Sequence, residues 1–517
     1  MILEDIINQL NKSKAPDNRL LGKLSRQYAK SSSQPCASKM DLLKVYRRLI
    51  DSKKLRPNPS IEKLLRTRAI RTLSGVAIIS VLMKPHPCPG DCLFCPTEMD
   101  VPKSYSPNEP AVMRAILCKF DPYKQVRMRL RALNLTGHDT SKCELIIIGA
   151  TFSAYPKPYQ RRFIKRCFDA FNHHNYSTLT ASQKANTKAK HRCIGMSVET
   201  RPDTIDEAEV KRLRELGITR IELGIQHLDD KILNKNHRDH SVAATIKATK
   251  LLKDAGLKIN YHMMPGLYGS TDKKDLMMFK ELFSNPDFQP DMLKIYPCTV
   301  VKNSKLYKLW KQKKYRPLSA QRLAKLLVQI KTTIPRYVRI TRLIRDIPSS
   351  EIVGGSKVTN LRQVVQRKMR SAGQKCRCIR CREAREQPAK ASDVKLFVQK
   401  YQASGGTEYF LSFENRKRET LFAFLRLRFP AQTFLPELKG ATLIRELHTY
   451  GQVVPVGKTN KKAAQHLGLG RKLMQEAERI AQRAGYGKMA VISGIGVRDY
   501  YRKLGYRLHG TYMVKSI

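Results

Sequence analysis

Between residues 75 and about 345 the apolar residues fall in short β-rich runs, at 75–83, 144–148, 193–198, 219–225, 258–264, 293–296 and 338–341. Helical spacing fills most of the gaps between them. One helix is expected to open at Thr204-x-x-Glu207, the spacing of a capping box, and to continue with Val210, Leu213 and Leu216 on one face. Strands alternating with helices predict a parallel sheet, here a full or partial TIM-like α/β barrel over residues 73–349. Barrel chemistry gathers at the C-terminal ends of strands, so the residues just after these runs are the candidates. Residues 1–72 have helical periodicity. Residues 177–192 are polar, basic and weakly periodic and read as a mobile loop; 350–392 are rich in Gly, Arg and Cys and read as a linker. From about 393 the strand pattern restarts, at 395–399, 408–413, 420–427, 442–450 and 488–492, with a helix at 470–484 that stops at Gly485. That predicts a separate α/β domain over 393–517, of ordinary domain size. There is no convincing internal repeat.

Charge changes the picture most. The 517 residues include 98 Lys and Arg against 43 Asp and Glu, a formal charge of +55. So large an excess favours a polyanionic partner through counterion release and points to a nucleic acid, without choosing between DNA and RNA. The N-terminal helices contribute Lys44, Arg47, Arg48, Lys53, Lys54, Arg56, Arg66, Arg68 and Arg71, either a solvated face or a phosphate-binding one. Glu4 and Asp5 stand where a secretory signal carries cations, and the apolar run at 76–83 is far short of the roughly 20 residues that span a bilayer. No membrane attachment is expected, and a cytoplasmic location is. Of twelve cysteines, six sit in two tight clusters, which argues for metal rather than a disulfide framework; the scattered six read mostly as buried small hydrophobes.

The first cluster is Cys88-Pro-Gly-Asp-Cys92-Leu-Phe-Cys95, soon after the first strand. Three thiolates can hold three irons of a 4Fe-4S cluster and leave the fourth open, which a closed four-cysteine set would not. Cys-x3-Cys-x2-Cys with Phe94 before the last cysteine is the radical-SAM spacing. The open iron is where S-adenosylmethionine (SAM) chelates. Zinc is the alternative, but it usually takes four ligands; none completes this set nearby, though His86 could be recruited. The second trio, Cys376, Cys378 and Cys381, is surrounded by Lys375, Arg377, Arg380 and Arg382. It fits structural zinc with a fourth ligand from elsewhere, or three reduced thiols.

Near the C-terminus, Gln465-His-Leu-Gly468-Leu-Gly470 opens the last long helix, with Leu473, Ala477, Ile480 and Ala484 on one face. Glycines here let backbone N–H groups approach a pyrophosphate at the helix N-terminus. Alone the motif is weak. The strand carrying Glu446-Leu-His-Thr449 before it, and Asp499-Tyr500-Tyr501-Arg502 after it, give the context, and together they resemble the GNAT-type acetyl-CoA fold. Tyr500 and Tyr501 are candidate catalytic phenols that donate to the thioester carbonyl or the leaving thiolate; one of the two is expected simply to pack the helix on the sheet.

Several further motifs carry a closer resemblance: Lys84-Pro-His-Pro-Cys88, Cys95-Pro, 105–115 (Tyr-Ser-Pro-Asn-Glu-Pro-Ala-Val-Met-Arg-Ala), Asp121-Pro-Tyr123, 149–152 (Gly-Ala-Thr-Phe), 197–203 (Ser-Val-Glu-Thr-Arg-Pro-Asp), Gly224-Ile-Gln226, His262-Met-Met-Pro265 and Arg345-Asp-Ile-Pro348. From about residue 70 to the last residue the chain resembles the Elongator catalytic subunit family, the tRNA uridine(34) acetyltransferases. The resemblance implies acetyl-CoA contacts at Glu446, Leu447, His448, Thr449, Leu469, Gly470, Arg471 and Tyr501, with Gln465 and Gly468 in the pyrophosphate loop. It adds Lys142 in the first domain as another acetyl-CoA contact, and Gly149 on the SAM side. It departs from the family at Gly149-Ala150, where Gly-Gly is usual, and has a shorter gap between the first two cluster cysteines than eukaryotic members. The implied reaction installs a carboxymethyl group at C5 of the wobble uridine, with the anticodon stem-loop of tRNA as partner and either a homodimer or an Elongator-like assembly open. The rivals are a protein lysine acetyltransferase with a structural iron–sulfur domain and a radical RNA-modifying enzyme whose C-terminal domain only binds.

Overall fold

A computed structural model describes residues 2–67, 75–384, 393–450 and 468–517. Gln465, Arg68 and Arg71 lie outside the described residues.

Seven parallel strands form the first sheet: β1 (Ala77–Leu82), β2 (Lys142–Ile148), β3 (Arg192–Thr200), β4 (Arg220–Gln226), β5 (Lys258–Met263), β6 (Met292–Ile295) and β8 (Arg339–Arg342). They pair strictly in that order. β1 and β8 do not meet, so the sheet is a partial barrel. Two short strands, β7 (Val300–Val301) and β9 (Ile352–Gly354), pair antiparallel beside it. The expected runs match the strands to within a few residues, because each run buries its outward side chains under a helix: Ala77, Ile79 and Val81 of β1 are fully buried.

The second sheet holds β10 (Val394–Ala403), β11 (Gly406–Asn415), β12 (Leu421–Phe429), β13 (Ala441–Thr449), β14 (Lys488–Val491), β15 (Arg507–His509) and β16 (Tyr512–Ser516), in the order β10-β11-β12-β13-β14-β16-β15. Only the β13–β14 pair is parallel. The helix Leu469–Arg483 covers this sheet through Leu473, Met474, Ala477 and Ala481, and stops at Gly485, whose φ of 82° suits glycine. β15 and β16 had no counterpart in the apolar pattern; all three residues of β15 are exposed.

Two local expectations are corrected. Residues 177–192 do not form a loop throughout: Leu179–Asn186 is a helix capped by Thr178. Its buried face is Leu179, Ser182 and Asn186, a helical spacing filled mainly by polar residues, so no apolar period shows. Asn186 is fully buried and accepts from the Cys193 amide at 2.8 Å. The helix expected at Thr204 begins instead at Glu207, capped by Asp206, which accepts from Glu209 N. Thr204 closes a short 3-10 turn and donates to Arg201 O at 2.8 Å.

Four helices, Leu3–Lys12, Asn18–Ser32, Lys39–Asp51 and Pro59–Leu65, enclose a small core of their own around Ile6, Ile7, Leu42, Tyr46 and Leu65. No described helix is long and apolar enough to cross a membrane.

The second sheet packs beneath the first, against the N-terminal ends of its strands. Arg445 donates to Leu257 O at 2.7 Å, and the Tyr512 hydroxyl to Ala255 O at 2.7 Å, both just before β5. Arg428 binds Asp254 at 2.6 Å, and Arg445 binds Asp291 at 2.6 Å and Glu408 at 2.8 Å. These charges are buried, but each faces an opposite one, which offsets its desolvation.

Candidate functional site

A cavity of about 1180 Å³ runs through the open barrel from one end to the other. Its wall is built of alternate strand residues: Lys142, Glu144, Ile146 and Ile148 from β2, and Lys258, Asn260 and His262 from β5. At its upper end lie Cys88, Cys92 and Cys95, at the C-terminal ends of the strands. At its lower end lie Glu446, Leu447, His448, Thr449, Gly468, Gly470, Arg471, Tyr500 and Tyr501 of the second sheet. β2 has seven residues between the two ends, about 20 Å at roughly 3.3 Å per residue.

The cysteine loop is held by its backbone. Leu93 N donates to Asn236 O at 3.1 Å, Leu306 N donates to Leu93 O at 2.8 Å, and Lys103 Nζ donates to Gly90 O at 2.9 Å. Gly90 has no room for a side chain, since a Cβ would lie 1.9 Å from Arg201 Nη1. Arg201 uses Nε and Nη2 on Asp203 and leaves Nη1 buried without a partner. Arg238 Nη1 donates to Cys92 Sγ at 3.4 Å, and Cys88 Sγ lies 3.5 Å from Thr151 Oγ1. The neighbouring Cys95 thiol, helped by Arg238 and Arg201 against the cost of burial, pulls the Cys92 thiol down to about 5. Three sulfurs lining the cavity, with Arg201 and Arg238 beside them, suit a cluster that carries negative charge. His86 turns Nε2 to Ala154 O at 3.1 Å, and its ring stacks on Tyr155 at 4.6 Å.

Beside the loop, Gly149 (φ 142°) and Ala150 (φ 66°) both have positive φ. A Cβ on Gly149 would press on Met83 Cβ at 3.1 Å. Ala150 and Thr151, but not the Gly149 side, line the cavity. Gln226, at the end of β4, also has positive φ (71°), and its Oε1 is buried without a partner. Strained backbone and an orphaned acceptor at a strand end are features that functional sites often carry. Arg201 and Gln226 fall in the resemblance-carrying motifs 197–203 and 224–226, just after β3 and at the end of β4, but sequence reasoning assigns neither a role, and Arg238, in the loop between the helices Asp230–Lys235 and Val242–Asp254, carries no local signal.

The lumen is charged where barrels are usually apolar. Glu222 accepts from Lys294 at 2.7 Å, from Arg220 at 3.1 Å, from Asn260 at 2.9 Å and from His262 Nε2 at 2.9 Å. Burial pushes the Glu222 carboxyl up, but Lys294 and Arg220 outweigh it and hold it well below the usual range. Arg220 also pairs with Glu144, and Tyr105 donates to Glu199. Burial and Lys294 push the His262 pKa down against the pull of Glu222.

At the lower end, β13 carries a bulge: Arg426 pairs with Glu446, but Leu427 pairs with Ile444. Glu446 faces the cavity, held by Arg426 at 2.9 Å and Lys258 at 3.7 Å. Burial raises its pKa, yet Lys258 and Arg426 prevail and bring it to about 2. Burial lowers His448 to about 4, and its Nε2 is buried without a partner. Gly468, with φ 66°, starts the helix Leu469–Arg483. A Cβ on Gly470 would sit 3.1 Å from the Tyr500 hydroxyl, so the glycine leaves that phenol facing bare backbone. Tyr500 is 41% exposed and Tyr501 7%; Tyr501 is the one that packs the helix on the sheet. Leu469 turns its side chain into the core, leaving only its backbone to a ligand. Lys142 lines the cavity, and burial lowers its pKa against the pull of Asp139.

The second trio lies outside the cavity. Cys376, Cys378 and Cys381 are, among the described residues, the one group of three whose ligand atoms all fall within 4.8 Å of one another. That suits a single ion at a Zn–S distance of about 2.3 Å. The loop is tied to β8 by Ile379 N, which donates to Val338 O at 2.9 Å.

Residues 86–282 match the Radical SAM superfamily and 290–371 the Radical_SAM C-terminal domain. The chain is 47% identical over 469 residues to a tRNA uridine(34) acetyltransferase of Methanocaldococcus infernus, covering 88% of each chain. It is 39% identical over 471 residues to Elongator complex protein 3 of Homo sapiens, covering 88% of this chain and 86% of that one. The solved structure of M. infernus Elp3 with an N-terminal deletion (1-46) superposes with a TM-score of 0.76 at 44% identity, covering 86% of this chain and all of that one.

Proposed function

The chain belongs to the family of Elongator complex protein 3 and the tRNA uridine(34) acetyltransferases, and from that membership we propose that it is a tRNA-modifying enzyme that attaches the acetyl unit of acetyl-CoA through its methyl carbon to C5 of the wobble uridine, cleavage of the thioester releasing CoA and leaving a carboxymethyl group. The observation that carries this reading is the continuous cavity, lined at one end by Cys88, Cys92 and Cys95 and at the other by Tyr500 and Gly470. A lysine acetyltransferase has no use for an acyl site that opens into a barrel.

The reading divides the chain into a basic tRNA-binding segment (1–72), a radical SAM domain (73–349), a zinc-bearing linker (350–392) and a GNAT-type acetyltransferase domain (393–517). Cys88, Cys92 and Cys95 hold the 4Fe-4S cluster, which when bound supplies the electron that cleaves SAM to a 5′-deoxyadenosyl radical. Arg201 and Arg238 offset the charge of the thiolates, and the unpartnered acceptor of Gln226 would be available to SAM. The helix N-terminus at Gly468–Arg471 takes the pyrophosphate of acetyl-CoA. Glu446 to Thr449 run beside the pantetheine, Lys142 completes the acyl site from below the barrel, and the Tyr500 phenol donates to the thioester. The phenol stays protonated, since burial raises its pKa. Uridine C5 is inert to ordinary acyl transfer, which is why a radical domain is coupled to an acyl site. The base must leave its stack to enter the cavity, and the +55 charge holds the stem-loop. Cys376, Cys378 and Cys381 bind zinc and anchor the linker.

The test is an anaerobic reaction of the reduced protein with SAM, labelled acetyl-CoA and tRNA, followed by nucleoside analysis. Label in a carboxymethyl group on the wobble uridine is expected. Acetylated peptide with no labelled nucleoside would overturn the reading.

A further inference from the structure

The cavity wall includes an irregularity in β3. Lys142 and Cys143 of β2 pair with Arg192 and Cys193, but Glu144 pairs with Gly195, so Ile194 is an extra residue. A bulge of this kind re-aims the residues around it and is common beside active sites. Here it does two things. It brings the Ile194 carbonyl against Gly494 of the second domain, where a Cβ would lie only 2.0 Å from the oxygen. It also turns Gly195 into the lumen. A Cβ on Gly195 would meet Thr219 Oγ1 at 3.5 Å and Glu144 Cγ at 3.9 Å, and both those residues line the cavity.

Gly195 does not need to be glycine for its own strand. Its φ is not positive, and its nearest neighbours stand at ordinary contact distance. A glycine inside a strand weakens it and often marks a bulge or the close approach of a ligand or backbone; here the bulge turns it to the cavity, where its missing side chain leaves open space. Ser493, beside Gly494 and also on the cavity wall, holds a buried hydroxyl with no partner among the described residues. A hydroxyl left unpaired in a buried wall is poised for a polar ligand.

We infer that Gly195 is the throat between the two halves of the cavity, and that its missing side chain sets the width of the passage through which the acyl-pantetheine arm rises into the barrel, with the Ser493 hydroxyl bonding an amide of that arm. The inference rests on the reading of the lower site as the acetyl-CoA site. Gly195 is a positioning residue: it makes no bond and decides only whether the acyl end reaches the lumen.

A size series in the full-length holoenzyme tests this: Gly195→Ala, Gly195→Val and Gly195→Leu. Alanine, which fits without displacement, should keep product formation within about twofold of wild type, while valine and leucine lower acetyl-CoA affinity and labelled nucleoside by about tenfold to a hundredfold, the range of overpacking costs. Two readouts should not move: reductive cleavage of SAM to 5′-deoxyadenosine, and affinity for adenosine 3′,5′-bisphosphate, which is the head of CoA without its arm. A flat series for acetyl-CoA and product, with a wild type that binds acetyl-CoA, overturns the throat and leaves the functional reading standing. Equal loss of bisphosphate binding overturns it as well, by showing general damage. If leucine fails to fold, the alanine-to-valine step decides. A wild type that does not bind acetyl-CoA overturns both inferences.

Discussion

Arg445 and Asp291 meet at 2.6 Å across the join of the two sheets, both wholly buried. Asp291 also lies 3.6 Å from Arg426, and Lys253 and Glu408 extend the cluster. Asp291→Asn removes the charge that faces two guanidiniums. The expected loss is about 3–5 kcal/mol, the cost of stranding a buried charge, read as a lower denaturant midpoint. An unchanged midpoint would show that the cluster does not hold the domains together.

Glu446 gives the molecule an acid sensitivity with a defined window. Its folded pKa of about 2 lies below the usual value of about 4.3 for a glutamate in an unfolded chain. A depressed folded pKa contributes stability that is full above the unfolded value and is lost as pH falls through the folded one. The stability difference between wild type and Glu446→Gln should therefore shrink between about pH 4.5 and 2, by up to about 3 kcal/mol. Urea melts at stepped pH check it, and a difference that stays constant or grows on acidification contradicts it.

Ala150 holds a left-handed conformation, with φ 66°, which costs a residue with a Cβ about 1–2 kcal/mol. Ala150→Gly should relieve this, offset in part by the greater freedom of glycine in the unfolded chain, for a net gain of up to about 1 kcal/mol. Ala150→Val should destabilise. Melting temperatures give the order, and calorimetry with SAM shows whether the added methyl also weakens binding beside the cysteine loop.

The two cysteine trios should be separable by metal analysis. Cys92→Ser is expected to lose iron and product while keeping zinc. Cys378→Ser is expected to lose zinc and melt earlier while retaining iron. Loss of both metals from either protein would mean that one trio supports the other.

Tyr500→Phe leaves the ring and removes the hydroxyl facing Gly470. Turnover should fall by one to two orders of magnitude, about 1.4–2.7 kcal/mol of transition-state stabilisation, with iron content and acetyl-CoA affinity unchanged. Tyr501→Phe should have the smaller effect on turnover, because that ring is built into the core.

What the chain discloses in one dimension is what it keeps local. Cys88, Cys92 and Cys95 lie within eight residues, and Gly468 to Arg471 sit at one helix start, so spacing alone exposes them. Strand positions were legible because the outward face of each strand is apolar and buried under a helix, as in Ala77, Ile79 and Val81. The lumen charges were not. Arg220 finds Glu144 from 76 residues away, and Glu222 gathers Lys294, Asn260 and His262 from two other strands. Each alone reads as one polar residue in a strand. The helix Leu179–Asn186 was hidden for a related reason, since Ser182 and Asn186 are buried through hydrogen bonds rather than through apolar surface.

On the proposed function the cavity, lined by Cys88 at one end and Tyr500 at the other, would give SAM and acetyl-CoA separate doors. Ligands that use different doors do not compete for entry. Spent CoA should act as a competitive inhibitor toward acetyl-CoA yet a noncompetitive one toward SAM, and 5′-deoxyadenosine should show the mirror pattern. On that proposal each exhausted cosubstrate would be exchanged while the other stays seated, without a queue at a shared entrance.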